Sequence, residues 1–313
     1  MTLLRFDPTV CPHPTVVVAL AATTLACPSR RATMTAAAAR DHPTVTTCDR
    51  LGADVSTAPS DGGILPGAEP VDLPGGPVGA LLCHGFTGTT QSMRPWAEHL
   101  AAAGLTVSAP RLPGHGTRWQ DMNRTRFSDW YGELERSFDD LRARCESVFV
   151  MGLSMGGTLS LRLAELRGAQ VAGVVVVNAS LASERKDVKL APYLAKVLPS
   201  MPGIASDIKK PGVNELAYDK VPLRALVSLQ KAWPVVVQDL HRITAPMLVF
   251  RSRTDHVVEQ VSGRVLLEGM VHGTVEERVL EDSYHVATLD NDAPEIFAGS
   301  LDFVLAHSSA AAG

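Results

Sequence analysis

The segment that most narrows the possible folds is Val148-Phe-Val-Met-Gly152-Leu-Ser154-Met-Gly156-Gly157. Its first half is a continuous apolar run, which fits a strand buried on both faces, and residues 155–166 carry on with a helical pattern. Between the two, Gly-x-Ser-x-Gly spells a sharp strand-to-helix turn. Small residues two positions either side of the serine keep neighbouring backbone from clashing. Such a turn lifts the Ser154 hydroxyl above the strand ends and beside the positive end of the next helix.

The rest of the chain supplies a sheet for that turn. Residues 78–83, 106–110, 171–177, 247–251 and 278–280 read as further strands. Helical patterns fall at 92–103, from a cap at Ser128 or Asp129 to about 144, and at 294–306. Strands separated by helices of this length imply right-handed crossovers and a mostly parallel sheet flanked by helices. The rhythm breaks once, between 178 and 247, where no buried strand is evident. Helix-like stretches at 190–198 and 223–238 make this a small helical cap inserted late in the sheet.

A serine hydroxyl is weakly nucleophilic at neutral pH and needs a base oriented by a third group. For this architecture the chain order is Ser, then Asp or Glu, then His. Asp255 follows the strand at 247–251, and His285 follows the strand at 278–280, so both belong to the edge where active-site loops of open α/β sheets gather. Among the ten histidines, His256 adjoins Asp255 too closely to bridge it to Ser154, and His272 precedes its strand. Asp282, Asp290 and Asp292 are the alternatives for orienting His285, and a plain loop-capping role is the alternative for Asp255. Acyl transfer also needs donors for the developing oxyanion. The backbone amides of Met155, after the serine, and Phe86, in the glycine-rich turn after the first core strand, are the candidates. His84 and His115 read as hydrogen-bonded loop scaffold.

With these residues in view, the chain resembles small bacterial carboxylesterases and monoacylglycerol lipases of the α/β-hydrolase fold. The resemblance rests on HisGlyPheThrGly at 84–88, ProGlyHisGly at 113–116, AspTrp at 129–130, GlyLeuSerMetGlyGly at 152–157, AspHisValVal at 255–258 and SerTyrHisValAlaThrLeuAsp at 283–290. It covers roughly residues 77–306, with the cap matched loosely and little that answers to the first two strands of larger hydrolases. It implies Ser154, Asp255 and His285 as a catalytic triad and Phe86 and Met155 as the oxyanion hole. It also implies short- or medium-chain acyl esters, monoacylglycerols among them, as substrates, with no metal or organic cofactor. The apolar cap residues, such as Leu190, Val197, Leu198, Met201, Leu229 and Trp233, either line an acyl pocket or hold the cap to the sheet. A serine peptidase or amidase of the same fold, and a catalytically idle ligand-binding homologue, are the competing readings. Cap acids such as Glu184, Asp187 and Glu215 keep the first of these open.

The other end of the chain is different in kind. Alanine and threonine supply 11 residues each of the first 60, with a single aromatic, Phe6. That stretch buries too little to offset its ordering entropy and reads as a disordered tail. An export signal around 16–27 is the alternative, with Leu25-Ala26-Cys27 faintly like a lipoprotein site, though Pro12 and Pro14 interrupt its entrance. Five prolines and five glycines from 59 to 77 read as a linker. The expected division is therefore a tail and linker at 1–76, a hydrolase domain at 77–307 with the cap at about 180–242, and a tail at 308–313. The net charge of −4 argues against a nucleic-acid partner. No run approaches the ~20 apolar residues of a membrane span. The five cysteines lack the spacing of a disulfide or zinc framework. These features point to a cytoplasmic enzyme, with a secreted or lipid-anchored one as the alternative, and leave the oligomeric state open.

Overall fold

The computed structural model describes residues 63–204 and 206–308. The tail and the export signal expected in the first 60 residues lie outside them. Among the described residues nine strands run in chain order: β1 Val71–Leu73, β2 Val78–Cys83, β3 Thr106–Ala109, β4 Ser147–Leu153, β5 Gly173–Val177, β6 Ser200–Pro202, β7 Lys220–Pro222, β8 Met247–Ser252 and β9 Val275–Leu280. The helices are α1 Arg94–Ala102, α2 Trp119–Met122, α3 Phe127–Arg142, α4 Met155–Arg167, α5 Lys186–Leu194, α6 Leu223–Asp239, α7 Gln260–Gly269 and α8 Ala293–Ser308.

Seven strands form one sheet in the order β1-β3-β2-β4-β5-β8-β9, parallel except for β1, which runs antiparallel to β3. The central strands are buried on both faces because their side chains alternate between two cores. Val148 and Val150 of β4 join the core under α3 and α4, whereas Phe149, Met151 and Leu153 join the core under α1 and α8. In β5, Val174 and Val176 divide from Val175 and Val177 in the same way. Burying such a side chain is worth about 1.5–3 kcal/mol relative to leaving it in water.

The sheet order reverses at β2 and β4: the chain steps outward from β2 to β3 and then returns to the other side with β4. A reversal of this kind leaves a crevice outside the carboxyl ends of the two strands. Cys83, the last residue of β2, pairs with Gly152 of β4, so Ser154 emerges at the mouth of that crevice.

Two stretches differ from the sequence expectation. Val71–Leu73, which falls in the segment predicted as a linker, is an edge strand with Val71 buried, and Leu65 N–H donates to the Gly116 carbonyl at 2.8 Å. A strand of three residues flanked by Pro70, Pro74 and two glycines shows no alternation long enough to read. The cap, expected to be a small helical insertion, also contains the two-stranded antiparallel sheet β6–β7. Its strands are three residues long and half exposed, so they lack an apolar run. Smaller shifts follow capping chemistry. Helix α3 starts behind Arg126, whose backbone N–H donates to Asp129 Oδ2 at 2.8 Å, so Asp129 caps from the third helical position.

Candidate active site

Ser154 leaves β4 with φ 56° and ψ −117°, a backbone conformation that a side chain adopts only under constraint. The constraint is visible. Ser154 N–H donates to the Val177 carbonyl at 2.9 Å, and its own carbonyl accepts from Thr158 N–H and Ser180 N–H, both at 3.2 Å. The two flanking glycines are required by space. A Cβ on Gly156 would overlap the Cys83 carbonyl oxygen, and one on Gly152 would overlap the backbone of Gly156. Met155 opens α4, so its N–H lies in the first turn, where the helix offers no acceptor.

Asp255 and His285 follow β8 and β9 at the same sheet edge, and the structure brings them together. His285 Nδ1 lies 2.8 Å from Asp255 Oδ2. The other carboxylate oxygen accepts from Val257 N–H at 2.8 Å and Val258 N–H at 2.7 Å, and the Asp255 side chain is 3% exposed. An ionised Asp255 makes Nδ1 the donor and leaves Nε2 as an acceptor. Burial disfavours a proton on His285, but the charges of Asp255, Glu215 and Asp207 together outweigh it, so its pKa rises above the ordinary value. Ser154, His285, Phe86, Thr87, Glu215 and Trp233 all line one cavity of about 170 Å³ beneath the cap.

The motifs at 84–88, 113–116 and 129–130 pack into one unit behind this cavity. His84 accepts Leu112 N–H on Nε2 at 3.2 Å, and its Nδ1 lies 3.0 Å from the Gly85 carbonyl. Burial pushes its pKa down to about 4, so it is a neutral tie between two loops. His115, likewise buried, meets His84 and Trp130 edge-on, and Trp130 meets Phe86 edge-on. The indole Nε1 of Trp130 donates to Thr125 Oγ1 at 2.9 Å and to the Pro113 carbonyl at 3.1 Å. This column fixes the turn that carries the Phe86 amide.

The rival residues stand elsewhere. His256 Nδ1 lies 2.8 Å from Asp207, and its side chain is half exposed. Asp290 accepts backbone N–H from Lys209, Lys210, Tyr284 and Asn291 at 2.7–2.8 Å, and so holds the loop around His285 rather than its ring. Asp282 pairs with Lys209 at 2.6 Å, and Asp292 accepts Asp282 N–H. Of the apolar cap residues, Met201, Leu226, Leu229 and Trp233 reach the cavity, whereas Leu190, Val197 and Leu198 are exposed.

Two positioning residues had no sequence signal. Asn178, at φ 47° just past β5, donates from Nδ2 to the His285 carbonyl at 2.9 Å and accepts Ser252 N–H on Oδ1 at 2.8 Å. Asp207, from the cap, accepts the backbone N–H of His285 and of His256 at 3.2 Å each. A polar residue ending a strand and an acid inside a loop are too common to single out; only the fold carries them to His285.

Comparison with known proteins identifies relatives of the chain. A family model described as serine aminopeptidase, S33 (Hydrolase_4) matches residues 79–292. A thermostable monoacylglycerol lipase of Bacillus sp. strain H-257 is 44% identical over 251 residues, spanning 78% of this chain and 97% of that one. The chain belongs to the serine aminopeptidase S33 family. A carboxylesterase of Bacillus subtilis strain 168 is 26% identical over 239 residues, covering 75% of this chain and 96% of the relative. Among solved structures, one from work on the metagenome-derived lipolytic enzymes LipS and LipT superposes with a TM-score of 0.76 at 42% identity. It covers 78% of this chain and 100% of that one. The fold is that of the α/β-hydrolases.

Proposed function

We propose that this protein is a serine hydrolase that cleaves carboxylic esters through an acyl-enzyme on Ser154. The carrying observation is the Asp255–His285 pair, joined at 2.8 Å, with His285 and the strained Ser154 in the wall of one cavity. His285 Nε2 takes the hydroxyl proton as Ser154 Oγ attacks the ester carbonyl, and Asp255 steadies the imidazolium. The Phe86 and Met155 amides receive the oxyanion. Collapse breaks the acyl C–O bond, and His285 returns the proton to the leaving alcohol. Water then attacks the acyl-enzyme with His285 again as base, releasing the acid and restoring Ser154.

Monoacylglycerols and short- or medium-chain acyl esters are the substrates we favour. The similarity to lipases and esterases and the apolar cap residues in the cavity support this choice. Glu215 is the polar exception. Burial raises its carboxyl to about 7, against the pull of His285 and a hydrogen bond from Ser92. A carboxyl at that balance suits the hydroxyls of a glycerol headgroup, as donor when protonated and acceptor when ionised. The aminopeptidase reading ranks second, since the relatives at 44% and 26% identity are a lipase and an esterase. Two buried free cysteines, Cys83 and Cys145, support a cytoplasmic location.

The ties of Ser154 to Val177, Thr158 and Ser180 run through its backbone, so Ser154→Ala keeps them. We expect that variant to retain the native circular dichroism spectrum and to lose hydrolysis of nitrophenyl acyl esters by about 10⁴-fold or more. Undiminished turnover would reject the assignment.

A further inference from the structure

The cavity over Ser154 is small for an acyl ester. Its volume of about 170 Å³ lies below the roughly 300–1,000 Å³ of ordinary small-molecule sites. A medium-length acyl chain with its alcohol needs more room than that.

On the far side of the cap wall lies an open apolar groove. A trough of about 620 Å³ runs between α5, α6 and α7, walled by Leu181, Pro192, Val227, Val237 and Val265. Ala182, Ser183, Val188 and Trp233 line both the trough and the catalytic cavity, so the two are divided by a shared layer of side chains. Trp233 is the one bulky member of that layer. Its indole Nε1 is buried and finds no hydrogen-bond partner among the described residues. Packing alone holds the ring, and no polar bond has to break for it to turn. The helices on either side each carry a proline: Pro234 lies inside α6 next to Trp233, and Pro192 lies inside α5. A proline inside a helix removes one backbone hydrogen bond and allows a local kink.

We propose that Trp233 is the gate of an acyl-end portal and sets the chain-length preference of the enzyme. The carboxyl end of a longer acyl group sits at Ser154, while its distal methylenes pass between α5 and α6 beside the indole and lie along the trough. Lys189 and Lys231 flank the trough, where their stems cover apolar surface and their ammonium groups stay in water. The proposal rests on the ester-hydrolase reading.

The test uses the full chain and two nitrophenyl esters, butyrate and laurate, kept below aggregation. The quantity read is the laurate-to-butyrate ratio of kcat/KM. Two further buried methylenes are worth about a tenfold change. Trp233→Ala, which removes the gate, is expected to raise the ratio at least about tenfold. Val265→Phe, which fills the trough from α7 without touching the cavity, is expected to lower it by a similar factor. Ratios within about twofold of the wild type in both variants would overturn the proposal, because a portal cannot be opened and blocked without consequence. A wild-type protein that turns over neither ester fails differently, by rejecting the hydrolase reading itself.

Discussion

A buried imidazole ordinarily resists a proton, and His285 is buried, yet three carboxylates around it reverse the balance. Asp255 touches its ring, Glu215 faces it across the cavity, and Asp207 holds its backbone N–H. Because the mechanism needs His285 neutral, a raised pKa moves the loss of activity on acidification to higher pH. The acid limb of kcat/KM, which reports the free enzyme, is therefore expected to inflect above the ordinary histidine value of 6.5. Asp255→Asn is expected to move that limb down and to lower kcat about 10⁴-fold, since the amide favours the wrong tautomer. An acid limb at or below 6.5 in the wild type would contradict the electrostatics of the site. At this scale the sequence was legible where a residue ends a strand within a specific motif, as Ser154, Asp255 and His285 do. Asn178 and Asp207 were not legible, because each acts on His285 through the backbone from a distant part of the chain.

Between elements, the cap is fastened to the nucleophile helix by charge. Arg162 of α4 bridges Glu165 on its own helix at 2.8 Å and Asp239, at the end of α6, at 2.7 Å. Burial pushes the Glu165 carboxyl up to about 8, with Arg162 pulling the other way. A carboxyl whose folded pKa lies above its unfolded value of 4.5 costs stability progressively as pH rises between the two. Arg162→Met removes the pull and leaves a buried acid without its partner. Urea unfolding is expected to show a loss that grows as pH rises through about 8, where the wild-type Glu165 ionises, and that stays smaller and level at lower pH, where the carboxyl is neutral with or without Arg162. Equal stability of variant and wild type both above and below that pH would show that Arg162 does not fasten α4 to α6. The long elements, α4 and α6 among them, were legible from period and length, whereas β1, β6 and β7 were not. Three residues carry less than two periods of alternation, and Pro70, Pro74 and Pro202 mask what there is.

Across the whole molecule, one topological event organises the chemistry. The reversal of strand order at β2 and β4 opens a crevice, and the carboxyl ends of β2, β4, β8 and β9 deliver Phe86, Ser154, Asp255 and His285 to it. The parallel sheet was legible because its central strands are buried on both faces and read as continuous apolar runs. The cap was legible only as an interruption, since its residues answer to the cavity and the solvent rather than to a repeating layer. No helix among the described residues is long and apolar enough to cross a membrane. The central claim is an acyl-enzyme on Ser154, and a fluorophosphonate ester tests it most directly by trapping the attacking oxygen. Digestion and mass spectrometry of the treated protein should find a single adduct on the peptide containing Ser154, with ester hydrolysis lost in proportion to labelling. Labelling at another residue, or full inhibition with Ser154 unmodified, would contradict the account.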